Sequence, residues 1–398
     1  MNLEERYKKL ADTKVIQFIE ENIHTPVTSL VLRGSPFESL DINFLVNQIV
    51  GKKKAKKKLP TWYKNPKIIY PPKVNLEQTS SEITALHKAK ITEGNTLIDL
   101  TGGFGIDDYY FSKKIDKITY IEINSELFKI AKFNFKRLSA NNILCINRDS
   151  LEYLKDTNNK YNWIYIDPSR RNENQKVFLL KDSLPNVLKN KLLFGNKSQN
   201  LMIKTSPMYD IEMGYKELSG IKELHIISIK NDVKELLWII DWREVNSRVI
   251  KMYNYDSGKK YSYSTLDKGL NHNDISLNNC QKYLYEFNSS VMKSGLYDSM
   301  ASKYKLSKIE KNTNFYTSNS KINSFPGKTY IVKNNESINF KKLKRNYKGK
   351  YINIICKNIK ITTSKIQNKL NCKIGGDKDY LIFSKTIDGN RVIEASKL

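Results

Sequence analysis

The sequence predicts an α/β protein built on a mostly parallel sheet, with a helical N-terminal region and a basic α+β C-terminal region. Three observations carry this expectation. Four short apolar runs, at residues 96–100, 118–121, 143–146 and 163–166, alternate with helical patterns, which is the order of a parallel sheet with crossover helices. Each run ends on an acid, namely Asp99, Glu122, Asp149 and Asp167. A glycine turn, Thr101-Gly102-Gly103-Phe104-Gly105, follows the first run and leads into a helix opening at Ile106-Asp107-Asp108. Ligands of open α/β sheets sit beyond the carboxyl ends of the strands, so all four acids are expected to face one crevice.

Before the sheet, residues 1 to about 58 read as helical. Val15, Ile16, Phe18 and Ile19 give an apolar stripe, and Asp41 caps a helix that buries Phe44, Leu45, Ile49 and Val50. That helix runs into Lys52, Lys53, Lys54, Lys56, Lys57 and Lys58, which read either as a solvated face complementing the helix dipole or as a phosphate-contacting arm. The prolines between residues 60 and 72 predict an extended linker. Ser80 or Ser81 then caps a helix over 82–91 that ends just before the glycine-turn strand.

The crevice calls for a ligand that tolerates acids. A dinucleotide site needs a third small residue after Gly103-Phe104-Gly105, but Asp108 stands there with Asp107 beside it, and both would repel a pyrophosphate. A cationic nucleoside without phosphates suits the place, and S-adenosylmethionine has a sulfonium, an ammonium and two ribose hydroxyls. Glu122 lies 122 − 99 = 23 positions after Asp99, near the roughly 20-residue offset at which an acid grips a ribose. Asp149-Ser150 is placed to accept from an adenine amino group. Taken singly, a glycine turn is often only a tight turn and such acids are often helix N-caps; the register of all four acids with four strands is what makes a site of them.

Beyond residue 171, runs at 201–204 and 224–229 predict a fifth and a sixth strand, with Lys204 and Ser206 turned toward an acceptor. A helix over 232–240 and a strand over 247–253 would complete a seven-stranded sheet. After Ser257 the composition shifts to Tyr, Ser, Asn and Lys. Strands are expected at 283–286, 329–332, 351–355 and 380–383, with a capped helix at 289–295 and another after Thr363 carrying Ile366 and Leu370. Lys341, Lys342, Lys344, Lys348, Lys350, Lys357 and Lys360, with Arg345 and the interleaved Tyr347, form a basic stripe suited to tracking an RNA backbone.

The net charge of +27 points to nucleic acid or an anionic surface, although the excess is mostly Lys in a chain also crowded with Asn and Ile, as a nucleotide composition bias would produce. Cys145, Cys280, Cys356 and Cys372 are scattered, which argues for a reducing cytoplasm, no disulfide framework and no metal site. The longest apolar runs are too short to span a bilayer.

At Asp99-Leu100-Thr101-Gly102-Gly103-Phe104-Gly105 together with Asp167-Pro168-Ser169-Arg170-Arg171, the chain resembles the class I S-adenosylmethionine-dependent methyltransferases. More narrowly, it is similar over nearly its whole length to a bacterial subfamily with a C-terminal THUMP-like domain. The resemblance implies a Rossmann-like seven-stranded sheet over 76–254, after an N-terminal helical domain and linker over 1–75. It further implies a small ferredoxin-like α+β domain over 255–330 and a THUMP-like, RNA-binding domain over 331–398. In such enzymes the segment matching Asp99, Thr101, Gly102, Gly103, Phe104 and Gly105 holds the methionine moiety, Glu122 and Ile123 match the ribose site, and Asp149 and Ser150 the adenine site. Asp167, Pro168 and Arg170 match the methyl-transfer end, where Ser169 replaces a second proline and no aromatic follows to stack a flipped base. The implied function is methylation of a nucleotide in structured RNA, rRNA or tRNA, in the cytoplasm. A cytosine-C5 mechanism is disfavoured because it needs a thiolate, and no Cys lies near Asp167 or Lys204. The alternatives are a methyltransferase of protein or small molecules and a catalytically silent RNA-binding protein on the same fold.

Overall fold

The structure is a computed structural model and describes residues 3–170, 180–243, 248–266 and 275–398. The chain divides into two compact units, Met1–Leu224 with Leu236–Asn246, and His225–Glu235 with Ser247–Leu398.

The first unit opens with helices Leu3–Lys9, Thr13–Glu21, Val27–Arg33 and Ile42–Lys58, the last capped by Asp41, whose side chain accepts from the Asn43 N–H. The expected linker is instead structured. Pro60 opens a short helix, Pro60–Tyr63, because its missing N–H is no loss in a first turn, and Trp62, Ile68, Ile69 and Tyr70 are all buried. Helices Lys73–Gln78 and Glu82–Ile91 follow, and Ser81 caps the second through the Thr84 N–H at 3.3 Å.

The strands of this unit are β1 (Thr96–Asp99), β2 (Lys117–Ile121), β3 (Ile143–Ile146), β4 (Tyr161–Ile166), a small ladder of β5 (Ser169–Arg170) and β6 (Ser183–Leu184), then β7 (Ser198–Thr205), the start of β8 (Ile221–Ile229) and the end of β9 (Asp232–Asp241), the remainder of β8 and β9 being counted in the second unit. Seven of them stand in the order β8-β9-β7-β4-β1-β2-β3. The pairs β1–β2, β1–β4, β2–β3 and β4–β7 are parallel, whereas β9 runs antiparallel to β7, with Thr205 opposite Leu236 and Asn200 opposite Asp241.

Strand β9 corrects the helix expected over 232–240. Leu236 through Asp241 are buried without interruption, and a short continuous apolar run of this kind suits a strand covered on both faces. Lys230 and Asn231 hold φ of 51° and 61°, so a two-residue turn returns β8 directly into β9. The run expected as the sheet's last strand is β10 (Val249–Asp256), which belongs to the second unit and pairs antiparallel with β11 (Lys259–Leu266).

The second unit also holds an eight-stranded sheet of β12 (Tyr283–Phe287), β13 (Ser307–Glu310), β14 (Thr313–Ser318), β15 (Gly327–Ser337), β16 (Tyr351–Lys357), β17 (Lys373–Ile374), β18 (Asp379–Thr386) and β19 (Gly389–Lys397). Its order is β13-β14-β12-β15-β19-β18-β16-β17. Helices Ser289–Ser294 and Tyr297–Lys303 accompany one half, Phe340–Tyr347 and Thr363–Leu370 the other. Leu284, Ile309, Phe315, Tyr330, Ile382 and Ile393 form one core cluster and Leu343, Ile352, Ile366, Leu370, Leu381 and Phe383 another. The expected domain boundary at 330/331 falls inside β15, and both halves share this sheet.

Candidate active site at the carboxyl ends of the strands

A cavity of about 550 Å³ opens at the carboxyl ends of β1, β2 and β4. Its lining includes Asp99, Thr101, Gly102, Gly103, Phe104, Glu122, Ile123, Asp149, Ser150 and Asp167, so the four strand-end acids do converge. Gly105 and Pro168 are not among its lining residues. The backbone of Arg170 lies in β5, while its side chain and Arg171 lie outside the described residues.

Asp99 ends β1 and is buried. Its Oδ1 accepts from the Thr101 backbone N–H at 2.7 Å and from the Thr101 hydroxyl at 3.1 Å, which folds the glycine turn back over the strand. Gly103 and Gly105 have φ of +56° and +79°, the left-handed region that favours glycine. A Cβ at Gly105 would also stand 2.4 Å from the Phe135 ring. The turn is tied to β2 by the Tyr120 hydroxyl, which donates to the Gly103 carbonyl at 2.7 Å. Glu122 accepts from the Gly103 N–H at 2.8 Å and from the Asn124 N–H at 2.7 Å, which points its carboxylate along the cavity wall. Asp149 is the N-cap of helix Ser150–Asp156, its Oδ1 accepting from Leu151 and Glu152 N–H groups at 2.9 Å each. One side chain thus caps this helix and lines the cavity.

Asp167, just past β4, is positioned twice. Its backbone N–H donates to the Thr101 hydroxyl at 2.7 Å, and its Oδ2 is paired with the Lys204 ammonium from the end of β7. Asp107, expected to face a cationic ligand, is engaged by the protein itself. It accepts from the Ser80 hydroxyl at 2.8 Å and the Tyr165 hydroxyl at 2.9 Å, and Lys88, wholly buried, lies 3.1 Å from its Oδ1. Asp108 is fully buried behind the turn, and among the described residues its carboxyl has no donor beyond its own backbone N–H. Burial raises the Asp99 carboxyl to about 7 against the pull of the Thr101 N–H, and pushes Asp108 well above the usual carboxylate range.

Asn75, Gln78, Thr79 and Ser80 form one wall of the cavity, from the glutamine-serine segment that the resemblance implies closes over the cofactor; Leu184, Pro185, Asn186, Lys189 and Asn190 form another, which was not anticipated. Among the described residues no group of three or more His, Cys, Asp or Glu is arranged to hold a metal, the four cysteines are free, and no helix is long and apolar enough to cross a membrane.

Sheet order, glycine turn and cavity define an α/β fold of the methyltransferase type. A crystal structure of a Porphyromonas gingivalis W83 protein, provisionally named a methyltransferase, superposes with a TM-score of 0.83 over 98% of both chains at 23% identity. Residues 283–326 match the family described as a ferredoxin-like domain, so that part of the expected C-terminal organisation is present. Two curated relatives match shorter stretches. An uncharacterized RNA methyltransferase of Mycoplasma mobile is 24% identical over 164 residues, 37% of this chain and 45% of the relative. Ribosomal RNA small subunit methyltransferase J of Francisella tularensis subsp. novicida is 29% identical over 105 residues, 24% of this chain and 42% of the relative. The chain therefore spans less than half the length of either curated relative.

Proposed function

We propose that this chain is an S-adenosylmethionine-dependent methyltransferase that methylates a nucleotide of structured RNA. The observation that carries the reading is the single cavity at the carboxyl ends of the strands, into which the glycine turn, Glu122, Asp149 and Asp167 converge. Its volume of about 550 Å³ lies in the range of small-molecule sites. The donor set also fits the cofactor. Glu122 and Asp149 each use backbone N–H groups to fix their orientation, and a carboxylate has lone pairs left for ribose hydroxyls or an amino group. Asp99, Thr101, Gly102, Gly103, Phe104 and Gly105 would hold the aminoacyl end, Ile123 and Ser150 would flank the nucleoside, and the Gln78–Ser80 stretch would cover it.

When bound, S-adenosylmethionine supplies an electrophilic methyl group on its sulfonium. The chain's own contribution is positioning, which supplies much of the rate of such transfers. Asp167 would orient the acceptor nitrogen or oxygen and take up its proton, helped by the Pro168 carbonyl, while Arg170 would hold an acceptor phosphate. Lys204 keeps one Asp167 oxygen engaged and leaves the other to the acceptor. Support for RNA comes from the names of the two curated relatives, from the net charge of +27 and from the exposed lysines of the second unit. The C-terminal half of that unit would be the THUMP-like docking region, and the enzyme would work in the cytoplasm.

The test is transfer of a labelled methyl group to bulk cellular RNA and, separately, to bulk protein. Ribonuclease-sensitive label in RNA is the expected result. Label confined to protein or small molecules would replace the substrate reading, and cofactor binding without any turnover would indicate a silent binding protein.

A further inference from the structure

Three carboxyl groups, Asp99, Asp107 and Asp108, crowd the space behind the glycine turn, and Lys88 is the cation placed among them. Asp107 is accounted for by Lys88, Ser80 and Tyr165. Asp99 has the Thr101 N–H and hydroxyl on one oxygen, but among the described residues no ion pair reaches Asp99 or Asp108. The Asp108 carboxyl lies within hydrogen-bond reach of that of Asp99, both are at most 1% exposed, and among the described residues Asp108 has no donor beyond its own backbone N–H. Two adjacent carboxylates in such a place repel each other and lack hydration, and a proton between them removes both penalties.

We propose that Asp99 and Asp108 hold one proton in common and that a cationic ligand entering the cavity expels it. Asp99 lines the cavity, so positive charge arriving there takes over the neutralising role, and the site gains a preference for charged over neutral nucleosides. The inference rests on the cofactor reading above. Among the described residues the cation at hand is Lys88, which lies 3.1 Å from Asp107. From β2 the facing group is the Tyr120 hydroxyl, from β3 the Cys145 thiol with Lys132 beyond it, and from β4 the Tyr165 hydroxyl; from helix Glu82–Ile91 comes Lys88, held by Asp107. The raised Asp99 and Asp108 carboxyls accord with a retained proton.

Calorimetric titration with S-adenosylmethionine in two buffers of different ionisation enthalpy tests this directly. Work at about pH 5.5 to 6.7 stays a full unit below the ~7.7–8.0 of an α-amino group, so the ligand keeps its ammonium charge. The expected result is release of roughly half to one proton near neutrality, with log affinity rising toward a slope of about one per pH unit on the acid side. Asp108→Asn keeps the shape and gives Asp99 an amide donor; it should still bind the cofactor, with the slope and the buffer dependence gone. 5′-Methylthioadenosine, which lacks both cationic groups, should release no proton from the parent protein. Infrared spectroscopy near neutral pH should show a protonated-carboxyl band in the ligand-free parent that disappears in Asp108→Asn. Cofactor binding with equal enthalpy in both buffers, or proton release undiminished in Asp108→Asn, overturns the proposal. Failure of S-adenosylmethionine to bind at all overturns the cofactor reading instead, and the infrared band then decides whether the shared proton exists. Should Asp108→Asn not fold, the two-buffer comparison on the parent remains decisive.

Discussion

Asp167 is fixed before any acceptor arrives, through its backbone by Thr101 and through its carboxylate by Lys204. If it performs proton transfer, Asp167→Ala should lower turnover roughly 100-fold or more while leaving cofactor affinity little changed; equal turnover in variant and parent would make the motif structural. Gly103 has open space around a φ of +56°, so Gly103→Val strains the backbone rather than striking a neighbour. Cofactor affinity, read by calorimetry, should fall in that variant and in Glu122→Ala. The Asp99 and Asp108 carboxyls also set a pH dependence of stability. Their folded-state values are raised, so the folded chain retains protons that the unfolded chain loses above about 4. Stability from this source is present at low pH and disappears as pH rises through about 7. The melting temperature of the parent should fall between about pH 4 and 7, and Asp108→Asn should flatten that fall. At this scale the four strand-end acids were legible because each ends an apolar run. Lys88 and Ser80 were not, since a lysine within a short helix reads as a solvated residue until its burial is known.

Among the elements, the join between helix Glu82–Ile91 and the glycine-turn helix depends on Lys88, whose ammonium lies 3.1 Å from Asp107 and donates to the Ser80 hydroxyl at 2.9 Å. Lys88→Met would leave the Asp107 carboxylate buried without its cation, a loss of about 3–5 kcal/mol in chemical denaturation. A near-neutral result would mean that the Ser80 and Tyr165 hydroxyls suffice. The turn between β8 and β9 gives the opposite sign. Lys230 holds a left-handed φ of 51°, so Lys230→Gly should remove a steric cost of roughly 1–2 kcal/mol, of which glycine's backbone entropy takes back about 0.5–1 kcal/mol. That turn also explains why β9 was misread. Hairpins of this kind announce themselves with Asn-Gly or Asp-Gly, and Lys-Asn carries no such signal, so an apolar run of helical length passed for a helix. The four parallel strands were readable because helical patterns separate them, although helix Ile106–Phe111 is buried along its whole length.

For the molecule as a whole, composition overstates the charge available to a partner. Lys52 is paired with Glu20, Lys54 with Glu77, Lys342 with Glu336 and Lys357 with Glu286, and Lys58 donates to the Leu76 and Glu77 carbonyls. Tyr347, expected to interleave the stripe, gives its hydroxyl to Glu394 at 2.8 Å, whereas Tyr351, 64% exposed, stands open. The exposed part of the stripe is therefore Lys341, Lys344, Arg345, Lys348, Lys350 and Lys360. Replacing Lys341, Lys344, Lys348 and Lys350 by Gln should flatten the salt dependence of RNA binding by about three log-log units with cofactor affinity unaltered. An unchanged slope would reduce the stripe to a solvated surface. Sequence alone cannot separate paired from free lysines, since the partners lie far away along the chain. The insertion of β9 between β7 and β8 has a temporal side as well. As the chain is synthesised, β7 is complete at Thr205, but the strand that covers its open side ends only at Asp241. At about 5–20 residues per second the nascent protein carries an uncapped apolar edge for roughly 2–7 s, so ribosomes that stall or terminate in that interval release a species primed to aggregate.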